Sequence, residues 1–121
     1  SWELVRRVTE TMLHLADLGH VILVGRGGNI ITRPIDHAFH VRFVGSTERR
    51  IERLRDFEKV SEKAARRLIE ESDEARRRYV KKHFKKDIAD PLLYDLVVNT
   101  DRLKDEDAAR LIAEASMTRC R

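Results

Sequence analysis

One short run constrains the fold of this chain more than any other: Val-Ile-Leu-Val at residues 21–24, followed directly by Gly-Arg-Gly-Gly at 25–28. A run that is apolar on both faces predicts a strand, here over 20–24, buried in a sheet that helices cover. Glycines at the carboxyl end of such a strand let a ligand approach the backbone, and ligands of open α/β sheets bind at that edge. The turn is therefore either a binding loop or a tight turn with an exposed arginine.

The rest of the chain alternates helices with short strands. The three- and four-residue spacing of apolar side chains predicts long helices, and Ser46 or Thr47 is a suitable N-cap for a shorter one. Two further apolar runs, one of them closed by Gly45, predict strands. The predicted long helices cover 2–18, 61–84 and 105–115, and the two strands cover 40–44 and 94–100. Helices between short apolar strands indicate an α/β fold with parallel strands.

Composition excludes several classes of protein. The 121 residues are 41% apolar with only two prolines and five glycines, which excludes disordered and collagen-like chains. The longest uncharged apolar run, Val21–Val24, is too short to cross a membrane. Cys120 is the only cysteine, so a disulfide scaffold is excluded, and the five histidines are too scattered to predict a metal site. We therefore expect a cytoplasmic protein with no membrane partner and no bound metal.

The positive charge is concentrated in one segment. The chain has 25 Lys and Arg against 21 Asp and Glu, a net charge of +4. Residues 49–86 hold 15 of the basic and eight of the acidic residues, so this segment carries +7 and the remainder −3. Such a local positive field favours an anionic partner: a nucleotide, a nucleic acid or an acidic protein.

Arginines are the candidate binding residues. Arg26, in the glycine-rich turn, has the guanidinium fork that holds a phosphate through two parallel hydrogen bonds. Arg76 shares a side of the long helix with Asp73, and Arg50 and Arg53 lie one turn apart on the shorter helix. For Arg76, the commoner role of such a residue is an ion pair on a solvated helix face.

Four segments together resemble cytidylate-kinase-like proteins, a branch of the P-loop nucleoside monophosphate kinases. They are Gly-His-Val-Ile-Leu-Val-Gly-Arg-Gly-Gly-Asn (19–29), His-Val-Arg-Phe-Val-Gly-Ser-Thr-Glu-Arg-Arg-Ile-Glu-Arg (40–53), Glu-Ser-Asp-x-x-Arg-Arg-Arg-Tyr (71–79) and Asp-Pro-x-x-Tyr-Asp-Leu-Val-Val-Asn-Thr (90–100). The resemblance covers nearly all of the chain in order. It implies a parallel three-layer α/β/α sheet and phosphoryl transfer from ATP, with Mg²⁺, to CMP or a similar nucleoside monophosphate.

The resemblance also implies roles for individual residues. Arg26, within the turn Gly25, Gly27 and Gly28, is expected to contact the phosphate of the acceptor nucleotide. Arg76 and Arg78 match lid arginines that stabilise charge as the phosphoryl group moves, and Arg50 and Arg53 match arginines at the base of the lid. Residues 1–121 are then a single domain. Its parts are a helix, strand and acceptor loop over 1–45, a basic helical lid over 46–90, and a last strand and helix over 91–121.

Two departures from the family pattern stand out. Gly27 replaces the aspartate that cytidylate kinases carry after Gly-Arg, which leaves selectivity for cytosine open. The Gly-x-x-Gly-x-Gly-Lys-Ser/Thr loop that binds ATP phosphates does not occur in the sequence. We therefore expect the carboxyl-terminal part of such a kinase, inactive alone and with neither ATP nor Mg²⁺ bound. The family's first strand lies between 20–24 and 40–44, so these edges are expected to rearrange, to pair directly, or to pair with a second copy in a homodimer.

A second class of function competes with the kinase. The basic helix over 61–84 is an alternative nucleic-acid-binding or protein-interaction module. Acids alternate with its arginines and only Tyr79 and Phe84 are aromatic, so a nucleic-acid partner is not expected. Pairing with a separately encoded P-loop half is the third hypothesis.

Overall fold

The computed structural model describes residues 2–119, and these contain five α-helices and a small two-stranded parallel sheet. In chain order the elements are α1 (Trp2–Leu18), α2 (Gly28–Ile31), β1 (Val41–Val44), α3 (Thr47–Glu58), α4 (Glu62–Phe84), a 3₁₀ turn (Pro91–Leu93), β2 (Leu96–Asn99) and α5 (Asp105–Arg119). None of these helices combines the length and the apolarity that a membrane crossing requires.

The predicted helices are confirmed, and local signals set their ends. The Ser46 hydroxyl accepts from the Arg49 amide at 3.2 Å to cap α3, and Ser61 caps α4 through the Ala64 amide at 3.1 Å. Gly19, left-handed at φ 80°, ends α1 by donating to the carbonyl of Leu15.

The sheet has two parallel strands, with Val41 opposite Leu96 and Val44 opposite Asn99. Both fall inside the predicted segments 40–44 and 94–100. A two-stranded parallel sheet with helices between its strands is compatible with the predicted α/β class, and the three-layer order stays a prediction. The main core lies between α3 and α4, where Ile51, Ala65 and Ile69 are buried.

The strand predicted over 20–24 is wrong: among the described residues no strand pairs with it. The segment is strand-like only in its alternation of side chains, since Ile22 is 89% exposed, Leu23 is partly buried and Val24 is 86% exposed. Apolar β-branched side chains favour an extended backbone, but a strand also needs a neighbour to take its hydrogen bonds. Direct pairing of 20–24 with 40–44, one of the three expected outcomes, does not occur.

Candidate functional site

The glycine-rich turn is held in a left-handed backbone conformation. Gly25, Arg26 and Gly27 have φ values of 75°, 57° and 73°. Gly27 is buried, and a Cβ there would lie 2.4 Å from Cε2 of Phe84 on α4. A side chain at position 27 would therefore collide with an aromatic ring as well as strain the backbone. This packing accounts for glycine where cytidylate kinases carry aspartate.

The same turn places Arg26 against α4. The Arg26 guanidinium lies 5.6 Å from the centroid of the Tyr79 ring, within the range of a cation–π contact. This contact holds the Arg26 guanidinium near α4. The turn thus meets α4 twice, through Arg26 on Tyr79 and through Gly27 on Phe84.

Two arginines from different helices share one carboxylate. Arg50 of α3 donates to Asp73 of α4 through both terminal nitrogens, at 2.8 and 2.6 Å, and Arg76 reaches the same carboxylate at 3.4 Å. The hydrogen bonds from Arg50 hold the pKa of Asp73 below its usual value, against a smaller opposing effect of burial. Two guanidinium groups therefore converge on one oxyanion, the arrangement that also holds a phosphate.

The other arginines at this point of α4 face elsewhere. Arg78 donates to Glu74 at 3.1 Å, Arg77 contacts the same carboxylate, and the side chain of Arg78 is 77% exposed. The hydrogen bond from Arg78 is the main cause that lowers the pKa of Glu74. The structure therefore brings Arg76 to Arg50 but directs Arg78 to another acid of its own helix.

Arg53 diverges from Arg50 and lines a cleft at the carboxyl ends of the two strands. It donates to the carbonyl of Thr100 at 2.8 Å. The cleft encloses about 270 Å³. Its other charged lining residues are Arg49, Glu52, Asp101, Arg102, Lys104 and Asp105. Four cations against three acids make it a small polar site with a slight positive excess.

Asp101 joins the two strand ends that form this cleft. Its carboxylate accepts from the backbone amide of Ser46 at 3.0 and 3.1 Å, which ties the end of β2 to the start of α3. Burial by itself would raise the pKa of Asp101. The hydrogen bonds from Ser46 and the positive charges of Arg49 and Arg53 together outweigh this effect, so the pKa lies below its usual value. Asp101 is therefore a carboxylate anion that holds the end of β2 against the start of α3 beside the cleft.

Sequence reasoning missed this cleft and the contact from Arg50 to Asp73, although it placed Arg76 beside Asp73 on the helix. The sequence could have predicted the cleft, because the residues that follow two neighbouring parallel strands lie at the same edge of the sheet. Thr100 and Asp101 follow β2 directly, and Ser46 follows β1 after Gly45. Asp73 had no comparable signal, since several acids of α4 were equally available to Arg50.

The residues present do not fit a dedicated Mg·ATP site. The sequence holds no Gly-x-x-x-x-Gly-Lys-Ser/Thr loop for a triphosphate. Over residues 2–119, no three His, Cys, Asp or Glu side chains come together as metal ligands.

Comparison with known proteins gives one match. The family model described as the cytidylate kinase-like family matches residues 2–102, which include the glycine-rich turn, both strands and helix α4. No curated protein and no solved structure gives a significant match. The match spans well over half of the chain, in agreement with the sequence resemblance. The chain belongs to the cytidylate kinase-like family.

Proposed function

We propose that this chain is the acceptor and lid part of a nucleoside monophosphate kinase that transfers a phosphoryl group from ATP to CMP or a similar nucleotide. The observation that carries the proposal is the convergence of Arg50 and Arg76 on the Asp73 carboxylate. Guanidinium groups that share one oxyanion are already placed to share another, and phosphoryl transfer depends on such positive charge. Family membership supplies the reaction type.

Each arginine has a distinct role in this proposal. Arg26 contacts the acceptor phosphate from the glycine-rich turn, next to the ring of Tyr79. Arg50 and Arg76 neutralise charge on the transferring group, and each gives up part of its contact with Asp73 as the phosphate arrives. Arg78 is bound to Glu74 and joins them only when α4 moves. Arg53 holds the carboxyl edge of the sheet through Thr100.

The 121 residues are expected to bind the acceptor without turning over ATP. A triphosphate needs a cradle of backbone amides and a lysine, and no such loop occurs in this sequence. ATP and Mg²⁺ therefore belong to the reaction of the complete kinase. Because Gly27 admits no side chain, an aspartate at this position cannot select the base, and we expect CMP and UMP to bind with similar affinity.

Ion pairing within α4 supports the nucleotide site over a nucleic-acid surface. Arg76, Arg77 and Arg78 each contact an acid of their own helix, and Arg66 contacts Glu48 and Glu62. A nucleic acid would have to compete with all of these acids along the helix, whereas a phosphate needs only two of the guanidinium groups. Binding of DNA or RNA with a steep salt dependence would instead favour the nucleic-acid module.

The test is calorimetric titration of CMP, UMP, AMP and inorganic phosphate into the 121-residue chain. We expect CMP to bind, and Arg26→Ala and Arg76→Ala each to weaken it about tenfold, since a charged hydrogen bond is worth roughly 1.5–3 kcal/mol. Arg67→Ala is the matched control, because Arg67 is an exposed arginine of the same helix. Equal losses in all three variants would mean that only net charge matters. Absence of CMP binding to the unmodified chain would refute the acceptor site.

A further inference from the structure

Within residues 2–119, Thr32 is the one polar side chain that is buried in the core, at 4% exposure, and it is bonded to the glycine-rich turn. Its hydroxyl donates to the carbonyl of Gly28 at 2.7 Å, and its amide donates to the same carbonyl at 2.9 Å. The Gly28 amide in turn donates to the carbonyl of Gly25 at 3.1 Å, which closes the turn around Arg26. Thr32 therefore anchors the end of the turn that carries the candidate phosphate ligand.

His40 connects Thr32 to the amino ends of the two strands. Its Nε2 lies 2.8 Å from the Thr32 hydroxyl oxygen, and its Nδ1 lies 3.5 Å from Oδ2 of Asp95. The same Oδ2 accepts from the His40 amide at 2.8 Å, and the Asp95 amide donates to the His40 carbonyl at 2.8 Å. Because His40 precedes β1 and Asp95 precedes β2, a continuous chain of polar contacts runs from the sheet to Gly28.

The order hydroxyl, imidazole, carboxylate is also that of a nucleophilic triad. Here the hydroxyl is enclosed, since Thr32 is 4% exposed, and its hydrogen is directed to the Gly28 carbonyl instead of to the imidazole. A substrate therefore has no access to the Thr32 oxygen, and the contacts orient the turn.

The number of hydrogens in this chain of contacts determines the state of the His40 ring. A carbonyl oxygen carries no hydrogen, so the hydroxyl hydrogen of Thr32 lies toward Gly28 and the hydroxyl oxygen accepts from Nε2–H of His40. In a neutral ring of this form, Nδ1 presents a lone pair to the Asp95 carboxylate. In the other neutral tautomer, Nε2 takes the hydroxyl hydrogen and the bond to Gly28 is lost. Only the imidazolium completes all of these contacts.

The groups around the His40 ring act on its charge in both directions. Asp95 favours the cation through the ion pair, whereas burial opposes it, since the His40 side chain is 13% exposed. Arg42, two residues further along the chain, also opposes the cation, with its guanidinium 5.9 Å from the centroid of the Tyr94 ring. From the end of α2 the ring meets the neutral hydroxyl of Thr32. The charge of Asp95 is therefore what retains the second ring proton.

We propose that His40, as an imidazolium, is a positioning residue for the glycine-rich turn: it keeps the Thr32 hydroxyl on the Gly28 carbonyl and so fixes the backbone on either side of Arg26. When the ring gives one proton to solvent, the contact with Asp95 or the bond to Gly28 is lost, and the turn is released. Where it concerns the acceptor nucleotide, this inference rests on the proposed function.

Nitrogen-15 NMR of the full chain without nucleotide tests the conformational part. Ring nitrogen shifts show which nitrogens carry hydrogen, and we expect two hydrogens on His40 at about pH 5.5 and one at about pH 8.5. The amide shifts of Gly27 and Gly28 should follow the same transition. His40→Gln, which can still donate to Thr32, should remove it, whereas His14→Gln, at an exposed histidine of α1, should leave it unchanged.

Calorimetric titration of CMP at about pH 6 and about pH 8 tests the consequence for the acceptor. The phosphate of CMP titrates equally for every variant, so each affinity is compared with that of His40→Gln at the same pH. Relative to this variant, the wild type should lose about fivefold in affinity between the two pH values, the effect of one hydrogen bond. Thr32→Val should be about fivefold weaker than the wild type at pH 6, and Thr32→Ser should restore the affinity.

A neutral His40 ring over the whole pH range would overturn the proposal, as would a His40 transition that the Gly27 and Gly28 amides do not follow. Identical pH profiles of CMP affinity for the wild type and His40→Gln would also contradict it. If none of the chains binds CMP, the proposed function fails, and the NMR titration alone decides whether His40 positions the turn.

Discussion

Replacing Asp73 by asparagine tests whether the Arg50–Asp73 contact joins the lid helix to α3. Asparagine keeps the shape of the side chain but loses the charge and one of the two acceptor oxygens. The two hydrogen bonds that Arg50 donates to Asp73, at 2.6 and 2.8 Å, would be left with a single, neutral acceptor oxygen. The long contact from Arg76 would weaken as well.

The exposure of the pair determines the expected cost. Exposed ion pairs contribute about 0.2–1 kcal/mol, and well-formed hydrogen bonds to charged groups contribute about 1.5–3 kcal/mol. The side chains of Arg50 and Asp73 are 30% and 34% exposed, so solvent screens the pair in part. We therefore expect Asp73→Asn to lower the free energy of unfolding by about 1–2 kcal/mol, or roughly 3–10 °C in Tm for a chain of this length.

The pH dependence separates this contact from a simple loss of packing. The pKa of Asp73 is lower in the folded chain than in the unfolded chain, so the unfolded state binds its proton first as the pH falls. The stabilisation is complete above about pH 5, decreases as the pH falls below about 4, and is lost below the folded pKa. The difference between the wild type and Asp73→Asn should decrease over the same range.

Urea unfolding at pH 7, 5, 4 and 3, followed by circular dichroism, measures this difference. Glu71→Gln is the matched control, since Glu71 is an exposed acid of the same helix that loses the same charge. A destabilisation by Asp73→Asn that equals that of Glu71→Gln, or that stays constant down to pH 3, would refute the assigned role.

Two further predictions concern the junction between the glycine-rich turn and α4. Gly27→Ala should lower the free energy of unfolding by about 2 kcal/mol or more, because both the left-handed backbone and the Phe84 ring oppose a Cβ. Gly25→Ala should lower it by only about 1 kcal/mol, because its Cβ would lie in open space and only the backbone strain remains. Thermal melts of the two variants measure the difference, and equal costs would contradict the collision with Phe84. The pKa of His83 is lowered by burial and by the lysines at 82 and 85, so stability should fall as the pH drops below about 6.5. His83→Phe should flatten this decline between pH 7 and 5 in urea titrations; an unchanged slope would rule out His83 as its source.

The sequence predicted those features of the fold that depend on nearby residues. The spacing of apolar side chains located α1 and α4 to within one residue at each end, and capping by Ser46 and Ser61 follows from side-chain oxygens placed before a helical run. The strands β1 and β2 were also located, each inside its predicted segment. In these cases the deciding interactions lie within a few residues along the chain.

Features that depend on distant residues were not predictable in the same way. The run at 20–24 has strong strand character, yet its state depends on whether another strand lies beside it. Arg50 and Arg53 share a helix face in the sequence, but one turns to Asp73 and the other to Thr100. Each choice depends on a partner more than twenty residues away, and several partners were chemically equivalent.

Helix α4 connects the glycine-rich turn with the Arg50–Asp73–Arg76 contact, and this has a mechanical consequence. Its first half packs on α3 through Ala65 and Ile69, and its last turns carry Tyr79 and Phe84 against the glycine-rich turn. Asp73 lies between the two, six residues and about 9 Å of helix rise before Tyr79. A phosphate that draws Arg50 away from Asp73 therefore loosens the polar contact between α3 and α4 while the apolar contacts at both ends remain. In the proposed function, the middle of α4 would then be the part of the helix that responds to the nucleotide, and its response would be limited by the two packed ends.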